Sequence, residues 1–100
     1  AYIRAVVDNV PPSVNLTWPA GQDTVFSLSD QPMLLLAQAD DRVGIASVQW
    51  FVDSKLVDEQ MLAPFFYSAD LKAGRHVIKL TATDLAGNTA ETAEVFFTIE

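Results

Sequence analysis

Six acidic or amide side chains at turns are the residues of this chain best suited to bind a ligand. They are Asp8, Asn9, Asp40, Asp41, Asp84 and Asn88. In an antiparallel sandwich the loops cluster at two ends, and the segments that carry these residues are expected at the same end. Ca²⁺ takes about six to eight oxygen ligands, often from several loops. The pattern predicts a weak Ca²⁺ site; the alternative is that Asp41 and Asp84 only cap their own turns.

Catalysis is not predicted from the remaining polar residues. His76 is the only histidine, and it begins a strand in a core-facing register, which favours a structural role over a Ser-His-Asp arrangement. Glycosidases need two carboxylates beside a cleft, and a chain with 13 acidic residues contains close pairs by chance. The sequence has no glycine-rich phosphate loop. We therefore expect a protein that is not an enzyme.

Charge and apolar patterning limit the partners. The net charge is −7, with six scattered Lys and Arg residues, which argues against nucleic-acid binding and predicts that isolated copies repel and stay monomeric. The longest apolar run, Met33–Ala37, is far shorter than the ~20 residues that span a bilayer, so membrane insertion is not expected. The absence of cysteine excludes disulfides and thiolate metal sites.

Strand periodicity dominates the second half of the chain. Between His76 and Thr83, apolar and polar residues alternate with a period of two, as expected of a strand with one face on a core. A polar turn, Asp84–Asn88, follows, and the chain returns as Glu94–Ile99. These two strands are predicted to form the central hairpin of a β-sandwich.

Similar alternation marks the other predicted strands. They are Val14–Trp18, Met33–Asp41, Val48–Val52, Lys55–Val57 and Ala63–Leu71, with a short edge segment at Val25–Leu28. The fold class is therefore predicted to be all-β, an antiparallel β-sandwich of about seven strands. The residues predicted to be buried together are Trp50, Leu35, Ala37, Ile78, Leu80 and Phe97.

Several short motifs occur in the order typical of one family. They are Leu71–His76 (L-x-x-G-x-H), Thr83–Asn88 (T-D-x-A-G-N), Asp41–Ile45 (D-x-x-G-V-like), Val48–Asp53 and Pro64–Phe65. The chain thus resembles the bacterial immunoglobulin-like repeats of secreted and cell-surface multidomain proteins. That resemblance implies an immunoglobulin-like sandwich and an extracellular or cell-surface location. It also implies a role as a spacer, stalk or adhesion module, commonly in tandem repeats, with neighbouring domains and a protein or polysaccharide as partners. At Asp53–Ser54 the chain departs from the Asp-Gly that most members carry.

Two questions stay open at this level. Residues 1–10 are either a linker between modules or the end of a preceding strand, and residues 11–100 are predicted to form one immunoglobulin-like domain. Four aromatic residues predicted to face outward, Trp18, Phe51, Phe66 and Phe96, suggest an alternative function as a carbohydrate-binding accessory module of a secreted hydrolase. The competing interpretation is that Trp18 shares the inward register of Val14 and Leu16, and that Phe66 and Phe96 are buried by a neighbouring module or lie at sheet edges.

Overall fold

The computed structural model describes residues 10–100, and their strand content agrees with the predicted all-β class. The strands are β1 Ser13–Trp18, β2 Thr24–Phe26, β3 Met33–Asp40, β4 Ile45–Val52, β5 Lys55–Gln60, β6 Phe65–Ala69, β7 Gly74–Asp84, β8 Thr89–Glu91 and β9 Val95–Ile99. A short 3₁₀ turn spans Leu28–Asp30. Along this part of the chain, the structure has no helix of the length and apolarity that crossing a membrane requires.

The strands form two sheets that face each other. The smaller sheet has the order β1-β3-β6, and the larger has the order β2-β9-β7-β4-β5, with β8 also paired to β7. The short strand β2 runs parallel to β9, whereas the other strand pairs of residues 10–100 are antiparallel. The predicted immunoglobulin-like sandwich is confirmed, and this parallel edge pairing is an addition to it.

Alternation along the central strands builds the core. On β4 the inward residues Val48, Trp50 and Val52 are buried, and their outward neighbours are only partly covered. Ile78, Leu80 and Ala82 repeat this pattern on β7, because the period-two pleat turns every second side chain inward. Five of the six residues predicted to be buried together are buried in this core. The sixth, Ala37, is only partly buried and packs against the core.

The predicted central hairpin is interrupted. After the turn, β8 pairs with the end of β7 that includes Thr81, and β9 pairs with the beginning of β7, from Gly74 to Ile78. Between the two strands, the Thr92 amide donates to the Leu80 carbonyl at 2.9 Å and the Thr92 hydroxyl accepts from the Leu80 amide at 3.0 Å. Thr92 thus adds two hydrogen bonds to β7 between the segments that pair with β8 and β9.

The register of β1 shifts before Trp18. Leu16 is paired with Ala37 and Trp18 with Leu36, so the intervening residue forms a bulge. Trp18 is 46% exposed, and its ring meets that of Phe26 on the opposite sheet edge-on, with 6.0 Å between ring centroids. The bulge breaks the alternation that would align Trp18 with Leu16, so Trp18 is exposed although its ring contacts the opposite sheet.

The sandwich has two ends, which we call the acidic pole and the far pole. At the acidic pole, the first residue of β1 pairs with Asp40 at the end of β3, and the first residue of β4 pairs with Asp84 at the end of β7. At the far pole, Gly74 at the start of β7 pairs with Ile99 at the end of β9. The described chain therefore enters β1 at one pole and leaves β9 at the other.

Candidate functional site

Asp84 lies at the acidic pole with a side chain that is almost completely buried. One carboxylate oxygen accepts hydrogen bonds from the backbone amides of Ala86 at 2.9 Å and Asn88 at 2.8 Å. The other oxygen accepts from the side-chain amide of Asn88 at 3.0 Å. Asp84 thus organises the turn that follows β7, as the turn-capping alternative describes.

Asp41 caps the neighbouring loop, which leads from β3 to β4. Its carboxylate accepts the Val43 amide at 3.0 Å, and the preceding Asp40 is exposed. The Leu85 amide donates to the Gly44 carbonyl at 3.0 Å, so the loop touches the Asp84 turn. Gly44 has φ +113, and a Cβ there would lie 3.1 Å from the Leu85 side chain, so glycine suits both the backbone and the contact.

The structure brings four of the six predicted calcium ligands to one pole. They are Asp40, Asp41, Asp84 and Asn88. Asp8 and Asn9 lie outside the described residues. Within residues 10–100, no three His, Cys, Asp or Glu side chains form a group that could hold a metal ion. Calcium binding stays a prediction, and the hydrogen bonds seen at this pole serve the turns.

Replacing Asp84 with asparagine is expected to destabilise the domain by about 1–3 kcal/mol, because a buried acceptor for two turn amides and the Asn88 side chain is altered. Urea denaturation followed by tryptophan fluorescence measures this change. The matched control is Asp41→Asn, which keeps an oxygen for the Val43 amide and should change stability little. Equal denaturation midpoints for Asp84→Asn and the wild type would contradict a structural role for this carboxylate.

The outward aromatic residues of the larger sheet are covered by cations. The Lys79 ammonium lies 5.4 Å from the centroid of the Phe51 ring, and the Arg75 guanidinium lies 4.7 Å from that of Phe96. A hollow of about 270 Å³ beside Phe51 is lined by Phe51, Ser54, Val77, Lys79 and Glu94. Its lining includes one carboxylate, that of Glu94, whereas glycoside hydrolysis uses two.

The smaller sheet carries a more open apolar surface. Trp18 and Phe66, each 46% exposed, are both register partners of Leu36, and Leu34 lies two residues before Leu36 on β3. Together these four side chains form what we call the apolar face. The four aromatic residues predicted to face outward are therefore divided between two sheets and do not form one continuous row.

His76 has the structural role predicted for it, at the far pole. Its Nδ1 lies 2.7 Å from the Asp53 carboxylate and its Nε2 lies 2.7 Å from the Lys72 carbonyl oxygen. The same carboxylate accepts the Val77 amide at 3.0 Å. Asp53 and Ser54 have φ +52 and +67, so the turn adopts positive φ at both residues without the glycine usual in the family.

Gln60, at the end of β5, has a role that the sequence did not reveal. Its Oε1 accepts from the Trp50 indole nitrogen at 3.0 Å and from the Phe66 amide at 3.2 Å. Its Nε2 donates to the Phe66 carbonyl at 2.5 Å and to the Asp58 carboxylate at 2.9 Å. Gln60 therefore joins the larger sheet to β6 of the smaller one. Gln60 is a polar residue at the end of an edge strand, and nothing in the sequence pattern there indicates this contact.

The two facing sheets and the buried Trp50 of β4 define an immunoglobulin-like sandwich. The bacterial Ig domain family model matches residues 12–91, and the chain belongs to that family. No match was found among curated proteins.

The solved structures that are similar to this chain include the following two. The fibronectin(III)-like modules of CbhA from Clostridium thermocellum share 25% identity at a TM-score of 0.76, over 91% of this chain and 47% of that one. The SGBP-B protein of the Bacteroides ovatus mixed-linkage glucan utilization locus, solved with a mixed-linkage heptasaccharide, shares 18% identity at a TM-score of 0.65. That match covers 92% of this chain and 24% of SGBP-B. The chain thus spans less than half the length of either structure.

Proposed function

We propose that this chain is a non-catalytic spacer or adhesion module of a larger extracellular bacterial protein. The observation that carries the proposal is the position of the first and last strands in the fold: β1 begins at the acidic pole and β9 ends at the far pole. The 11-residue strand β7 runs between the two poles, a length of roughly 33 Å. A neighbour attached at each end would be held apart by that distance.

The similar solved structures support a modular role. The chain matches about half of a protein described as fibronectin(III)-like modules and about a quarter of a surface glycan-binding protein. The non-catalytic part of the proposal rests on the titratable residues. Both His76 ring nitrogens are engaged by Asp53 and Lys72, and the Asp84 carboxylate accepts hydrogen bonds from its own turn.

A protein with two copies of residues 10–100, joined through residues 1–9, tests the spacer role. Small-angle X-ray scattering should show a maximum dimension that increases by roughly one module length over the single domain, because entry and exit lie at opposite poles. The same protein should release no product from a panel of peptides, esters and glycosides. A folded-back pair with little increase in length would contradict a spacer, and turnover lost on changing one carboxylate would contradict a non-catalytic module.

Carbohydrate binding is the second candidate, favoured by the exposed Trp18 and Phe66 on the apolar face. Aromatic rings can stack on sugars, and the similar Bacteroides structure was solved with a mixed-linkage heptasaccharide. Affinity electrophoresis in mixed-linkage glucan separates the two candidates. A spacer should migrate as in a glucan-free gel. Glycan binding on the apolar face would instead slow the wild type in the glucan gel. That retardation should be lost in Phe66→Ala and Trp18→Ala but kept in the control Phe51→Ala.

Calcium binding at the acidic pole is the remaining prediction. At a calcium concentration ten times the dissociation constant, a bound ion adds about 1.4 kcal/mol of stability, and each kcal/mol raises the melting temperature of a domain this size by about 4–8 °C. We expect a higher melting temperature in 10 mM calcium than in chelator, given the weak affinity of about 0.1–1 mM typical of extracellular modules.

The control for the calcium-dependent rise in melting temperature is the double variant Asp40→Asn with Asp41→Asn. It leaves the Asp84 turn intact. This variant should lose the calcium response while folding normally. Identical melting temperatures in calcium and chelator, for the single domain and the two-copy protein, would show that these carboxylates serve only their turns.

A further inference from the structure

Both ring nitrogens of His76 face hydrogen-bond acceptors. The partner of Nδ1 is a carboxylate oxygen of Asp53, and the partner of Nε2 is the carbonyl oxygen of Lys72, each at 2.7 Å. A neutral imidazole carries one N–H donor and one lone pair, so it satisfies only one of these two acceptors. The imidazolium ion donates from both nitrogens. The geometry is therefore complementary to the protonated ring.

These contacts join segments that are distant in the sequence. Asp53 belongs to the β4–β5 turn, and its backbone amide donates to the Val77 carbonyl at 2.9 Å while its carboxylate accepts the Val77 amide at 3.0 Å. Lys72 belongs to the loop that precedes β7. His76 thus bridges the turn and the loop at the far pole, beside the pair formed by Gly74 and Ile99 where the described chain leaves the sandwich.

We propose that His76, Asp53 and the Lys72 carbonyl form an acid-stabilised clasp that holds the far pole together and loosens when the histidine loses its proton. This inference goes beyond the spacer role, because it makes the rigidity of one end of the module dependent on pH. The clasp consists only of groups that are already in contact in the structure, His76, Asp53 and the Lys72 carbonyl.

The surroundings of the ring favour its charged form on balance. Burial lowers the pKa of His76, since its side chain is only 12% exposed, but the hydrogen bonds to Lys72 and Asp53 and the negative charge of Asp53 outweigh that effect. The pKa is therefore raised above the ordinary 6.5. On the β9 side the ring faces Phe97, with 6.0 Å between centroids, and the adjacent Arg75 is engaged by Asp23 and Phe96. Among the described acidic groups, Asp53 is the one within ion-pair distance of His76.

The sign of the pH dependence follows from linkage. A group whose pKa is higher in the folded state than in the unfolded state binds its proton more tightly when folded. Its contribution to stability is complete below the unfolded value of 6.5 and is lost as the pH rises through the folded pKa. The clasp therefore stabilises the domain at mildly acidic pH and weakens at alkaline pH, opposite to the behaviour of a carboxylate whose pKa is lowered by folding.

Because the chain contains one histidine, NMR titration of its imidazole signals reports His76 alone. We expect a titration midpoint above 6.5 in the folded domain, and protection of the Val77 amide against hydrogen exchange that decreases above that midpoint. The matched variant is Asp53→Asn, since asparagine tolerates the positive φ of this turn. It removes the negative charge and replaces one of the two carboxylate oxygens, which face His76 Nδ1 and the Val77 amide, with an NH2 group. Its His76 midpoint should fall relative to the wild type.

Thermal melts between pH 5.5 and 8.5 provide a second measurement. The wild-type melting temperature should decrease as the pH rises through the midpoint, and His76→Gln, which has no titrating ring, should lose that decrease. Any effect of the N-terminal amine is present in both proteins and cancels in the comparison. A His76 midpoint at or below 6.5, or the same pH profile in the wild type and His76→Gln, would overturn the clasp. If His76→Gln does not fold, the wild-type titration and Asp53→Asn still decide the question.

Discussion

Replacing Trp50 with alanine is expected to lower the free energy of unfolding by about 3–5 kcal/mol, a large part of the total for a domain of 100 residues. Trp50 is completely buried, its ring lies 6.2 Å from that of Tyr67, and its indole nitrogen donates to Gln60. Alanine would leave a cavity between the sheets and remove that hydrogen bond. Guanidinium denaturation monitored by circular dichroism measures the loss.

Two variants separate the contributions of volume and hydrogen bonding at this position. Trp50→Phe keeps an aromatic ring but removes the indole donor. Its free energy of unfolding should therefore lie between those of the wild type and Trp50→Ala. The control is Phe51→Ala, one residue along β4 on the partly exposed outer face, which should cost less than Trp50→Ala. A Trp50→Ala protein as stable as the wild type would contradict the observed core.

Replacing Gln60 with alanine is expected to destabilise the domain by about 2–4 kcal/mol, the second-largest effect that we predict. The change removes four hydrogen bonds and leaves the buried Trp50 indole N–H without its acceptor. Chemical denaturation of Gln60→Ala and the wild type in parallel gives the difference. Gln60→Glu should be worse, because its carboxylate would face the Phe66 carbonyl and the Asp58 carboxylate.

Gln60 also protects an exposed strand edge. Its side chain bonds both the amide and the carbonyl of Phe66 on β6, which is an edge strand of the smaller sheet and has no charged residue. Unpaired edges of that kind promote association between copies. Gln60→Ala should therefore also increase self-association, measurable by analytical ultracentrifugation. The exposed Gln38→Ala on β3 is the control; if it matched Gln60→Ala in stability and association, the role of Gln60 would be refuted.

The sequence alone was sufficient to predict the fold class and most of the residues buried in the core. The alternation around Trp50 and Leu80 depends only on the two-residue period of a pleated strand, so it can be read without knowing which strands pair. Turn chemistry was equally local: Asp84 and Asp41 bond amides within four residues, and Asp has that preference in any such loop. The shared location of the turns that carry Asp40, Asp41, Asp84 and Asn88 was also predictable, because the loops of an antiparallel sandwich cluster at its two ends, whereas calcium binding there stays a prediction.

Only the tertiary structure decided the features that depend on contacts between distant segments. The Gln60 bridge to Phe66, the approach of Asp53 to His76 and the parallel pairing of β2 with β9 each need two segments in a particular orientation. The bulge before Trp18 likewise changes a register that the alternating pattern assigns to the core. Local periodicity specifies which face a side chain occupies, but side-chain hydrogen bonds between sheets form only after the backbone has been placed, and no repeating pattern encodes them.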